Sequence, residues 1–144
     1  MGTQDVGRVT AEVKIENLED LWAVEQKLKS AEQARSITIP DALVATGATL
    51  LSLPTRLIKE LGLSPVTRKR IRTSTGVAEA SLYEAVRLTI QGRSCTMDVL
   101  EVPDGIPVLI GQLPLAHLDF VVDLRSRTLI GNPAHGGEHS YELY

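Results

Sequence analysis

Aromatic side chains are scarce in this sequence: one Phe, one Trp and three Tyr make up 3% of 144 residues. Any core must therefore be aliphatic, and there is little on which nucleic-acid bases could stack. The single cysteine, Cys95, excludes an internal disulfide and any cysteine-based zinc spacing. No apolar run approaches the ~20 residues of a membrane-spanning helix, and no charged-then-apolar leader opens the sequence. Cations are not in excess, since the formal net charge is -3, which argues against a dedicated nucleic-acid binder. The expectation is a cytoplasmic protein with neither membrane nor nucleic acid as partner. What is present is ordinary: 43% hydrophobic and 23% charged residues, close to the globular average and enough for one domain over 1–144.

Val9, Ala11, Val13 and Ile15 alternate with Thr10, Glu12 and Lys14, the period of a half-buried strand. Asn17 is placed to cap a helix with Glu19 and Asp20 in its first turn. The pattern predicts that this helix ends before Ser30 and buries Leu18, Leu21, Trp22 and Leu28. Ser36 to Val44 reads as extended, with Pro40 indicating an edge or a bulge. Pro54 opens a short helix, Thr55 to Leu61, stopped by Gly62. Extended signals return at Val66–Arg72, Ser81–Ile90 and Cys95–Val102, broken at Thr73–Gly76 and Gln91-Gly92. A turn at Asp104-Gly105 precedes Val108-Leu109-Ile110, Pro114 to Leu118 allows one helical turn, and Phe120–Val122 and Thr128–Ile130 read as short strands. The fold class is mainly β with two or three short helices.

Three motifs stand in order along this frame. Ala42-Leu43-Val44 lead into Ala45-Thr46-Gly47-Ala48-Thr49 and then Leu50-Leu51-Ser52-Leu53-Pro54. Thr73-Ser74-Thr75-Gly76 precede an alternating strand containing Tyr83. Val108-Leu109-Ile110-Gly111 are followed by Leu113 and Leu115. Over about Leu43 to Leu118 this arrangement resembles the single-lobed, retropepsin-like aspartic proteases, whose active-site segment runs hydrophobic residues into Asp-Thr/Ser-Gly-Ala. Thr46-Gly47 alone could be any turn ending a strand; three motifs in register are far more specific. The resemblance implies a closed, mainly antiparallel β architecture. Within it, 43–53 is the active-site loop, 66–90 the flap, 108–118 the Ile-Gly loop with its helix, and 119–144 the C-terminal strands and tail. The N-terminal strand and extra helix of 1–35 exceed the family's minimal pattern. Ala45, Thr46 and Gly47 fall at the catalytic centre, and Ala48, Thr73, Ser74, Thr75, Gly76, Ile110 and Gly111 at the substrate. No metal and no cofactor is implied.

The position of the family's aspartate is held by Ala45. Hydrolysis by an activated water needs one carboxylate as base and one carboxylic acid as proton donor, and two close carboxylates divide these roles by sharing a proton. Thr46 could lock the loop through its hydroxyl, and Gly47 permits close approach. No other carboxylate is placed to substitute: Asp41 lies four residues away, ~13 Å along a strand, and Asp98, Asp104, Asp119 and Asp123 begin no second Asp-Thr/Ser-Gly. The chain thus holds one half of a site, and the resemblance implies a homodimer with the other half on the two-fold axis, acting on a peptide or protein substrate. Two explanations of Ala45 stand: an Asp→Ala replacement that silences an aspartic endopeptidase, or a natural pseudoprotease serving as a peptide-binding or dimerisation module. The intact Thr46, Gly47 and Leu-Ile-Gly segment favour the first.

Other features read more plainly. Arg68-Lys69-Arg70 and Arg72 fit the solvated side of a hairpin arm. His135 and His139 have a helical metal spacing, but Gly136 and Gly137 between them break a helix and no third ligand is evident. Cys95 reads as a small buried hydrophobe.

Overall fold

The computed structural model describes residues 8–143. Strands β1 (Thr10–Asn17), β2 (Ser36–Val44), β3 (Leu51–Pro54), β5 (Gly76–Ile90), β6 (Arg93–Val102) and β7 (Leu109–Ile110) close on themselves in the order β1-β2-β7-β3-β6-β5, with β5 pairing back onto β1. Strand β4 (Ser64–Thr73) adds to the outside of β5 and forms with it a long hairpin. Helix α1 (Leu18–Glu25) follows β1, α2 (Thr55–Leu61) follows β3, and α3 (Gln112–Leu118) follows β7. Strands β8 (Phe120–Asp123) and β9 (Thr128–Gly131) pair as a separate hairpin.

The period of two in β1 is realised: Val13 and Ile15 are fully buried while Glu12 and Lys14 are exposed. Opposite them the β1–β2 register slips between Ala11 and Val13, where Pro40 and Asp41 supply the extra residue of a bulge. The barrel interior is aliphatic, with Leu51, Leu53, Leu88, Ile90, Val99 and Ile110 at its centre, Phe120 buried among them and Tyr83 packed at the edge.

Helix α1 departs from the expectation. It ends at Glu25, not near Ser30, because Lys27 turns into the left-handed region (φ 63°) and Leu28 bonds back to the Ala23 carbonyl. Its packed face is Asp20 and Ala23, whereas Trp22 is 55% and Leu28 70% exposed. The physical reason is charge. The buried Asp20 carboxylate accepts hydrogen bonds from Lys29 (2.7 Å) and from the Arg35 side chain (2.8 and 3.0 Å) and amide, which pulls the chain back over the helix. The Arg35 guanidinium also lies directly over Gly62, the left-handed cap of α2, where any Cβ would strike it. The hairpin also exceeds its expected limits, with β4 starting at Ser64 and β5 at Gly76. Among the described residues, no helix is long and apolar enough to cross a membrane.

Candidate active site

The 45–49 loop joins β2 to β3 and hangs on a strand that lies far away in sequence. Val44 pairs in parallel with Ile110, and Leu51, just past the loop, pairs antiparallel with the same residue. The two-residue strand β7 therefore holds both ends of the loop. Within it the Ala45 amide donates to the Ile110 carbonyl (2.9 Å) and the Ala48 amide to the Ala45 carbonyl (2.9 Å). On the far side the amides of Gln112 and Leu113 donate to the carbonyls of Ala48 and Thr49, each at 2.9 Å. Gly111 closes the arrangement: its amide reaches the Leu50 carbonyl, and a Cβ there would lie 2.6 Å from that oxygen and 2.8 Å from the Ala48 carbonyl. Only glycine allows so close an approach.

The predicted site residues thus fall into two groups. Ala45, Thr46, Gly47, Ala48, Ile110 and Gly111 are brought together at the loop and its brace, with Thr46 and Gly47 exposed and the Ile110 side chain enclosed in the core. Thr73, Ser74, Thr75 and Gly76 form the tip of the β4–β5 hairpin. Beyond Leu82, where β5 leaves β6, this hairpin is a two-stranded ribbon, exposed on nearly every residue of β4. The Thr73 hydroxyl organises the tip, donating to the Gly76 carbonyl (3.0 Å) and accepting from the Thr75 amide (3.3 Å). Arg68 to Arg72 lie along the exposed arm, as the plainer reading has it, with Arg68 facing Glu79 at 3.2 Å across the ribbon.

Two loop contacts differ from what the residues suggested. Among the described residues the Thr46 hydroxyl makes no hydrogen bond, so the loop is locked by backbone instead. The Gln112 side chain, absent from the expected site residues, donates to the Thr46 carbonyl. A polar residue directly after the glycine of the Leu-Ile-Gly segment was the available signal.

Several carboxylates are committed elsewhere. Glu101 accepts from the hydroxyls of Thr55 (2.7 Å) and Tyr83 (3.3 Å), Asp104 from the Arg56 amide, and Asp20 from Arg35 and Lys29. The Arg35 hydrogen bonds hold Asp20 well below the usual carboxylate range despite its burial. Asp119 binds His135 Nδ1 at 2.7 Å, and this lowers its pKa, while His135 Nε2 meets Glu142 at 2.9 Å and the pair of carboxylates raises the imidazole. His139 instead reaches the His117 carbonyl and Tyr141. Among the described residues no three His, Cys, Asp or Glu side chains are grouped to hold a metal. Burial pushes the Cys95 thiol up to about 11, leaving it a poor nucleophile.

A small hollow of about 290 Å³ adjoins the loop, lined by Val9, Val44, Thr46, Val122 and Leu124. Leu124, at the turn of the β8–β9 hairpin, is 76% exposed. A family model described as aspartyl protease matches residues 36–113, more than half of the chain, from β2 through the start of α3. No curated protein matches the chain.

Proposed function

The chain belongs to the aspartyl protease family, and from that premise we propose that it is the silenced form of a homodimeric aspartic endopeptidase whose position 45 carries aspartate. The observation that carries this reading is the brace around Ala45. Four backbone hydrogen bonds, a glycine against three backbone atoms and a side-chain amide fix a loop whose first residue, Ala45, has no functional group. Such positioning serves a carboxylate that must meet a second one at hydrogen-bonding distance.

In the parent enzyme the two symmetry-related aspartates share one proton. The ionised member takes a proton from water as it attacks the peptide carbonyl, and the protonated member supplies one to the reacting groups. Alanine can do neither, so the present chain has no turnover. The exposed Thr46-Gly47 turn and the apolar surface at Leu124 support a two-fold contact there, and the unpartnered Thr46 hydroxyl is free to bond across it. The β4–β5 hairpin serves as the flap, its tip offering backbone groups to an extended peptide.

Ala45→Asp tests the reading. The variant should cleave members of a broad peptide library and be inhibited by transition-state analogues of aspartic proteases, while the Ala45 chain does not. A folded, dimeric Ala45→Asp protein without any cleavage would sink the protease assignment. An alanine codon at position 45 of the source gene would favour the pseudoprotease instead.

A further inference from the structure

A second hollow lies away from the loop. It is a groove of about 790 Å³ between α1, the Gly62–Ser64 segment and the base of β5, a volume in the range of ligand sites. Its apolar lining includes Leu21, Leu63 and the half-exposed Trp22. Tryptophan left in the open beside a groove is the residue type that most often anchors a partner. Three carboxylates, Glu19, Glu25 and Glu84, stand on the lining, and no side chain forms an ion pair with any of them among the described residues; Arg87 is the cation there.

The walls are fixed. The Asp20–Arg35–Lys29 cluster clamps α1, the Asn17 side chain donates to the Leu61 carbonyl at 2.7 Å, and Arg35 covers Gly62. Helix α1 lies outside the segment that the family model matches.

We propose that this groove is a docking site for a cationic, amphipathic peptide segment of another polypeptide, with an apolar side chain against Trp22 and Lys or Arg against the three glutamates. Charge complementarity selects that occupant: an acidic segment would meet three unpaired carboxylates, and a purely apolar one would leave them unused. The site is separate from the 45–49 loop and does not depend on what position 45 does.

Trp22 is the sole tryptophan, so its emission reports on the groove. Titration with a synthetic decapeptide of alternating Leu and Lys should give a saturable blue shift. The affinity should fall about tenfold in the Glu19→Gln/Glu25→Gln/Glu84→Gln variant, from three exposed pairs lost, and should weaken with added salt. Arg87→Gln removes the opposing cation and should tighten binding about threefold, which keeps the test informative if the triple variant folds poorly. No shift, an equal shift with the Leu–Glu counterpart, or unchanged affinity in the variants would overturn the proposal. An emission change with protein concentration alone would also overturn it, by giving the groove to a second copy and its Arg68–Arg72 arm.

Discussion

Gly111 sits so close beneath the Leu50 carbonyl that the added carbon of an alanine would lie 2.6 Å from the oxygen. The contact is with backbone on both sides, so neither partner can swing away as a long side chain could. Gly111→Ala should destabilise the protein by about 1–3 kcal/mol, read as a lowered midpoint in urea. In an Ala45→Asp background it should cut kcat well beyond the fraction unfolded, because the loop must move. Full activity in that double variant would show that the close approach does not position the loop.

The Asp20 carboxylate ties Lys29 and Arg35 to α1. Asp20→Asn should cost about 1.5–3 kcal/mol near neutral pH, the range for hydrogen bonds to a charged group. Its folded pKa is depressed, so this stabilisation is present above the ordinary value of 3.8 and fades as pH falls through the lower folded value. The gap in Tm between the two proteins should therefore close in acid.

The tail is pinned the other way. His135 has a raised pKa from Glu142 and Asp119, so its contribution is complete below 6.5 and lost as pH climbs through the raised value. Limited proteolysis after Gly136 should be slow at mildly acidic pH and faster above neutrality. His135→Gln should remove that dependence, leaving cleavage equally fast across the range.

Few buried contacts hold the 73–76 tip, whose bonds are with itself. Its amides should exchange faster than those of Leu109 to Gly111, and a long peptide ligand should slow them. Equal protection in the empty protein would make the hairpin a structural ribbon and not a flap.

Much of this was legible from the residues alone. The alternation through Val13 and Ile15, the Pro40 bulge, the Gly62 stop and the turn at Gly76 each follow from local chemistry, and each stands where expected. Thr46-Gly47 pointed to the loop segment only because Ile110-Gly111 follows it in register. What the pattern missed was long-range. Helix α1 looked as though it should bury Trp22, and it turned instead because Asp20 met Arg35 fifteen positions on. Nothing in the spacing of Leu18, Leu21 and Trp22 reveals a cation that far away. Gln112 was missed for the same reason, since its partner Thr46 lies 66 positions back.

That separation governs the order in which the molecule can be made. Strand β7 is only two residues long, yet both ends of the 45–49 loop hang on it. Closing so long a stretch is an entropic barrier that local turns do not face. During synthesis the loop cannot take its final shape until Ile110 has left the ribosome, long after residues 45–49 have done so. A protease built on this plan would be born with its catalytic segment unformed, and its own nascent chain would be spared until Ile110 had emerged.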